Sequence, residues 1–510
     1  MSLTSLAFVG FLILVIIAYY IVPQRLRWIV LLIASAAFYA LCGVFAFACL
    51  IFVAATTYCA GLWLGRLNAS EQPRDTIRKR RKLIVLAAVV LNFGLLFALK
   101  YLDSALGLAS RIFRFGAPHL GILAPLGVSF YIFQSVGYVV DCCRGKYAPE
   151  RNFAKYLLFC SFFPQIVQGP IGRYDELAPQ LTRGNALDFA NVRDGVQLAM
   201  WGYFKKLVIA ERAGVIVASL FSDVTAHGGA VTAFSMVMYC VQLYCDFSGG
   251  IDIARGAAKM LGVDMAENFA RPIMAVSLAD YWRRWHMTLG TWMRDYLFYP
   301  LSLSKPLARL GKAARKRIGG KLGKILPTSI ATFVVYLAVG AWHGAHAKYI
   351  VYGLYNAVII TSSLLLDGVY ANARRTMHIR DDSGVLKLFR IVRTCAIIFI
   401  GRYITRANGL SQTLYLLKKT VAHFDPRALF NGTLATLGLP ISGIVTVLVG
   451  IAVVVVVEVL QERGLRVRES LARRGAFTQW LAVAVPFAVI LIFGIVDQGF
   501  TPAEFIYAQF

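Results

Sequence analysis

The chain has 510 residues, of which 58% are hydrophobic and only 15% charged, and it carries a formal net charge of +27. Soluble domains hold about a quarter charged residues, so this balance, with a mean hydropathy of +0.64, excludes a soluble globular chain. The positive charge sits in short connections between apolar runs and no basic stretch carries a base-reading or base-stacking motif, which excludes a nucleic-acid binder.

The first apolar run, Ser5–Val22, has no basic leader and no clear A-x-A site before Pro23. It is predicted to be the first membrane helix, not a cleaved signal. Further candidate spans are Trp28–Leu41, Phe45–Leu64, Leu83–Leu102, Ile122–Val140 and Tyr156–Gln168. The chain continues with Gly195–Leu220, Val231–Ile251, Tyr281–Leu301, Thr328–His343 and Tyr349–Leu366, then Leu388–Thr405, Ile441–Leu460 and Trp480–Val496. The runs are continuous rather than alternating, which excludes a membrane β-barrel. Phe163–Arg173 reads F-P-Q-I-V-Q-G-P-I-G-R, and its prolines and glycines forbid a straight helix. It is expected to form a buried re-entrant turn lining a cavity, and Pro125–Gln134 is expected to do the same. The expected fold is an all-α polytopic transmembrane bundle of about eleven or twelve spans plus re-entrant segments. No repeat and no separate soluble core interrupts it, so residues 1–510 are read as one domain. Arg402–Pro440 reads as a surface helix with a loop.

Basic connections give the orientation. Arg74–Lys82, the eight Lys and Arg of Leu303–Lys324, and Arg463–Arg474 are all placed in the cytoplasm, which puts both chain ends outside. The nine cysteines include no C-x-x-C pair and read as small buried hydrophobes. No His/Cys cluster has ligand spacing, so no metal site is expected.

The segment Asp280–Pro300, D-Y-W-R-R-W-H-M-T-L-G-T-W-M-R-D-Y-L-F-Y-P, is too charged to face lipid. Each ionised group in hydrocarbon costs several kcal/mol unless it meets water or a partner, so the segment is expected to line something. Within it, the R-W-H-M-T-L run surrounds His286 with cations and indoles, Arg283 and Arg284 are candidate anion holders, and Arg294 and Asp295 can pair with each other. His343 ends a second apolar run beside Trp342, and Gly340 and Gly344 form a small-x-x-x-small pair that presses it against a neighbour. With an ordinary pKa near ~6.5, an imidazole takes a proton from a hydroxyl at neutral pH; the alternative is a histidine bonded between helices. His346 reads as structural. Asp246, in Y-C-D-F-S-G-G, either pairs with one of those arginines or orients a histidine, while Gly249 and Gly250 let its helix break or pack closely.

The chain resembles the membrane-bound O-acyltransferase (MBOAT) family, and more narrowly the bacterial branch that includes alginate O-acetyltransferase, with kinship to teichoic-acid D-alanyl transferases. The resemblance runs through P-L-G-V-S-F-Y-I-F-Q, F-F-P-Q-I-V-Q-G-P-I-G-R, W-G-Y-F-K-K-L-V-I-A-E-R, Y-C-D-F-S-G-G, E-N-F-A-R-P, Y-W-R-R-W-H-M-T-L and G-A-W-H-G-A, and ends at F-I-Y-A-Q-F. Their order and spacing together are specific. Ala341 and Gly250 depart from the Leu and Tyr common in relatives, and neither removes a reacting group. The resemblance implies an MBOAT fold whose catalytic core covers residues from about 120 to about 365.

It implies an essential histidine at His343, with His286 as the second marked position; on the residues themselves, His286, Arg283, Arg284 and Asp246, with Trp285 and Trp342 beside them, are expected to position donor or acceptor or to stabilise the oxyanion. It also implies that Tyr507, otherwise an interfacial anchor, relays the acyl group outward. The expected activity moves an acyl group, acetyl in the first instance, from a cytoplasmic thioester across the bacterial inner membrane to a hydroxyl for extracytoplasmic polysaccharide modification. No bound cofactor is expected. Acetyl-CoA or another acyl thioester is the donor, and a periplasmic SGNH-type acyltransferase or esterase is the partner. The alternatives are a transporter or flippase using the same buried charges, or a non-catalytic scaffold of a glycan-export complex.

Overall fold

In a water-free slab every backbone N–H and C=O must be satisfied within its own segment, so long apolar runs coil into helices. The computed structural model describes residues 1–114, 116, 120, 121 and 124–495, and among them the chain is helices and turns with no strand. Ser5 caps the first helix, Leu6–Ile21, by accepting the Phe8 N–H at 3.2 Å. Among the described residues six helices are long and apolar enough to cross a bilayer, or seven if the bent pair Ala347–Leu365 and Asp367–Thr376 counts as one. The sequence expectation of eleven or twelve is higher because it also counts runs that are short, broken or charged. Leu6–Ile21 has only 16 residues. Gly195–Leu220 is interrupted by the π-helical turn Phe204–Ala210. Gly384–Arg406 carries Lys387, Arg390, Arg393, Arg402 and Arg406.

One compact unit comprises Met1–Phe204, Phe247–Glu267 and Gly475–Leu491. In it Val44–Asn68, Arg74–Phe113 and Val128–Arg144 pack together. Phe163–Arg173 behaves as its prolines and glycines dictate: one turn of helix, Phe163–Ile166, followed by irregular backbone that is buried from Val167 to Ile171. That buried backbone is satisfied from inside the protein. Gln165 Nε2 donates to the Pro170 carbonyl at 2.7 Å and to Gln134 Oε1 at 2.6 Å, and Gln134 Nε2 donates to the Phe159 carbonyl at 2.6 Å. Pro125–Gln134 is a correction: instead of a broken segment, a regular helix runs over Val128–Arg144 and includes Gln134. Pro125 precedes that helix, and Gly127 turns the chain into it at φ 75°. Any side chain at Gly127 would collide with the Ile166 carbonyl, 1.8 Å from where its Cβ would stand. The helix Gly229–Met260 runs unbroken through Gly249 and Gly250.

The other unit comprises Lys205–Asp246 and Asn268–Arg474, with residues 492–495. Gly320–His343 and Ala347–Leu365 form an antiparallel hairpin, and Gly384–Arg406 packs on its second arm. The basic stretch Leu303–Lys324 is largely helical, with Lys305–Ile318 folding back onto the following helix. Leu307, Gly311 and Ala314 form its buried stripe at helical spacing, and the cations take the other face. After Arg402, one helix, Leu410–Ala422, is followed by a connection holding two short 3₁₀ turns, Pro426–Leu429 and Thr433–Thr436.

Candidate active site

The segment expected as one span over Tyr281–Leu301 is broken. Helix Leu278–Arg284 stops at Trp285, His286 takes a left-handed conformation at φ 48°, and a new helix starts at Met287. A non-glycine residue in that region is costly and persists only when its surroundings hold it. Here a fully buried Asn268 does so. Its Oδ1 accepts the Thr288 N–H at 3.0 Å and the Thr288 hydroxyl at 2.9 Å, and lies 3.3 Å from His286 Nδ1. Its carbonyl accepts the Met287 N–H at 3.0 Å, and Ala270 N–H donates to the Arg284 carbonyl at 2.9 Å. The break therefore fixes both the backbone and the ring of His286.

His343 is the last residue of Gly320–His343 and is half-buried. The hairpin is as close as its glycines allow: a Cβ on Gly340 would stand 2.5 Å from the Tyr349 carbonyl, and one on Gly353 2.4 Å from the Tyr336 carbonyl. The neighbour pressed against His343 is thus the Ala347–Leu365 helix, whose Tyr349 ring stacks on the imidazole at 6.0 Å. Trp342 links the two histidines. Its indole lies 6.0 Å from the His286 ring and 4.8 Å from the His343 ring.

A cavity of about 20 Å³ opens beside His343, lined also by Trp282, Trp285, Tyr349, Tyr352 and Arg402. That is room for about one water-sized body. Trp285 is buried, stacks on Tyr281 at 5.5 Å and lies under the Arg402 guanidinium at 5.2 Å. Trp285, Tyr281 and Arg402 also line a second, apolar cavity of about 140 Å³ walled by Ile273, Val454 and Val455 among others.

The remaining candidates fall elsewhere. Asp246 is buried and bonded to Lys206, which also meets Glu211 at 2.7 Å. The expected cation was an arginine of the Asp280–Pro300 segment. The sequence did not reveal Lys206 because the π-helical turn Phe204–Ala210 shifts where its side chains point. Arg284 is engaged by Asp280 at 3.1 Å and by Glu462 at 2.9 Å, and Glu462 also takes Arg271 at 2.8 Å. Arg283 is 74% exposed, with Asp280 at 3.6 Å. Arg294 pairs with Asp295 at 3.0 Å, as read. Tyr507 lies outside the described residues. Among the described residues no group of three or more His, Cys, Asp or Glu is placed to hold a metal ion.

Arg402 and Asn268 are the residues that sequence reasoning passed over. Arg402 carried a usable signal, since a cation deep in an apolar run marks a functional position by default. Asn268 carried none, because its role arises only from the broken backbone it clamps.

The comparisons with known proteins bear on this geometry. The family model described as MBOAT, membrane-bound O-acyltransferase family, matches residues 149–315, which include His286. The chain is 30% identical over 399 residues to the probable alginate O-acetylase AlgI of Pseudomonas syringae pv. tomato, covering 77% of this chain and 69% of that protein. It is 28% identical over 367 residues to a peptidoglycan O-acetyltransferase of Helicobacter pylori, covering 67% of this chain and 65% of the relative. It is 27% identical over 248 residues to a teichoic acid D-alanyltransferase of Bacillus subtilis, covering 48% and 60%. A multi-helix membrane chain with this order of motifs and this extent of likeness belongs to the membrane-bound O-acyltransferase family and is an O-acyltransferase.

Proposed function

We propose that the protein moves an acetyl group from a cytoplasmic thioester, acetyl-CoA, to a hydroxyl acceptor on the outer side of the bacterial inner membrane, for modification of an exported polysaccharide. A periplasmic SGNH-type acyltransferase or esterase completes delivery to the glycan, and Tyr507 is the group that carries the acetyl outward. The observation that supports this reading is the placement of two imidazoles against one indole, with His343 lining a small buried cavity between Trp282, Trp285 and Arg402.

His343 acts as the general base. It takes the proton of the attacking hydroxyl as oxygen bonds to the thioester carbonyl carbon, and returns it to the departing sulfur, so that ester and thiol form together. His286 is too deeply held by Asn268 to reach a substrate and serves as a positioning residue, bracing Trp342 and through it His343. Trp285 and Trp342 exclude water, which strengthens the electrostatics inside. Asp246, paired with Lys206, supports the same unit from within its packing. Arg283, the more exposed of the paired arginines, attracts the phosphate-rich donor together with the basic Lys305–Ile318 helix.

The test is the ester content of exported polysaccharide in cells making His343→Ala at normal protein level. Loss of the ester is expected; unchanged ester content rejects the assignment. Transport of a glycan by the purified protein without any acyl donor would point to the flippase alternative.

A further inference from the structure

The thioester carbonyl becomes an anionic oxygen in the tetrahedral adduct, and a dry site must supply a donor for it. Neither arginine of the Y-W-R-R-W-H motif is placed to do this. Arg284 is held by the Asp280 and Glu462 carboxylates, and Arg283 is mostly exposed. Arg402 differs from both. It is buried to 5% exposure on the helix Gly384–Arg406, and among the described residues no carboxylate pairs with it. Two phenols and an indole hold it instead: Nη2 donates to Tyr281 Oη at 2.7 Å, Nη1 donates to Tyr352 Oη at 3.4 Å, and the guanidinium lies over Trp285. Burying a full positive charge against neutral partners is expensive unless an anion arrives to meet it. Arg402 borders both the small cavity that His343 lines and the apolar cavity near Ile273 and Val454.

From this geometry we infer that Arg402 is a catalytic residue that donates hydrogen bonds to the acyl oxygen as it becomes negative, opposite the His343 base. Its donor fork, pre-set by Tyr281 and Tyr352, meets a charge that exists only during the reaction, so it acts on turnover more than on binding. When the adduct collapses, the C–S bond breaks, the carbonyl re-forms, and the negative charge leaves Arg402 with the sulfur, which takes the proton from His343. This inference rests on the acetyl-transfer reading.

The experiment uses the full-length protein in nanodiscs together with the periplasmic SGNH-type partner, with acetyl-CoA as donor probe and thiol release followed in the presence of alginate oligosaccharides. If wild type releases no thiol above protein-free nanodiscs, the acetyl-transfer reading fails and this inference falls with it. With wild type active, Arg402→Gln is expected to lower kcat about 100-fold or more with KM for acetyl-CoA within about threefold. Arg402→Lys, which keeps the charge and loses the fork, is expected to fall in between. A folded Arg402→Gln that keeps kcat within threefold, or loses only KM, overturns the inference while leaving His343 in place. If Arg402→Gln does not fold, Tyr281→Phe decides: a drop of about fivefold or more in kcat at unchanged KM supports the inference, and an unchanged kcat overturns it.

Discussion

Lys206 is nearly inaccessible, yet it holds two carboxylates, those of Asp246 and Glu211. A buried ion pair adds little by existing, but removing one member leaves the others in low dielectric at a cost of about 3–5 kcal/mol. Lys206→Met should therefore lower the thermal midpoint of the purified protein markedly and reduce its yield. A Lys206→Met protein that melts with wild type would remove Lys206 from the core of this unit. At this scale the sequence was legible wherever a polar residue interrupts an apolar run, which is how His286, His343 and Asp246 stand out. The identity of each partner was not legible, because a π-helical turn, a left-handed residue and a clamp from Asn268 each redirect side chains in ways that spacing along the chain does not encode.

The helical hairpin that ends at His343 carries its own test. Gly340 and Gly353 approach each other's helix so closely that a side chain on either meets backbone, not a flexible neighbour. Gly340→Val is expected to separate the arms and to cost about 1–3 kcal/mol, read as a lower melting temperature together with loss of acetyl transfer. Equal melting and activity in that variant would show that the arms tolerate spreading. The G-x-x-x-G spacing made this approach legible in advance; the break at His286 was not, since W-R-R-W-H-M-T-L contains neither Gly nor Pro. A left-handed histidine is selected by what surrounds it, so helix propensity alone reads the segment as continuous. The Lys305–Ile318 helix shows the converse case, because its helical stripe was present in the sequence behind the dominating basic charge.

Membrane character and helical class followed directly from composition. Among the described residues, length and hydropathy alone admit six or seven helices, while other apolar runs are cut short, bent or charged. Orientation is open to test through the basic connections, for which the positive-inside rule predicts the cytoplasmic side. Lys312, exposed on the Lys305–Ile318 helix, is a suitable reporter. With the native cysteines replaced, Lys312→Cys should react with a membrane-impermeant maleimide in inside-out vesicles and stay unlabelled in intact spheroplasts. Labelling from the outer side would invert the orientation and with it the direction of acyl flow.

The bare backbone contact at Gly340 and Gly353 has a mechanical consequence for the site. No pliable matter separates the two rods there, so the end that bears His343 cannot tilt without dragging Tyr349 with it. Any opening beside His343 therefore has to come from a different wall of the cavity.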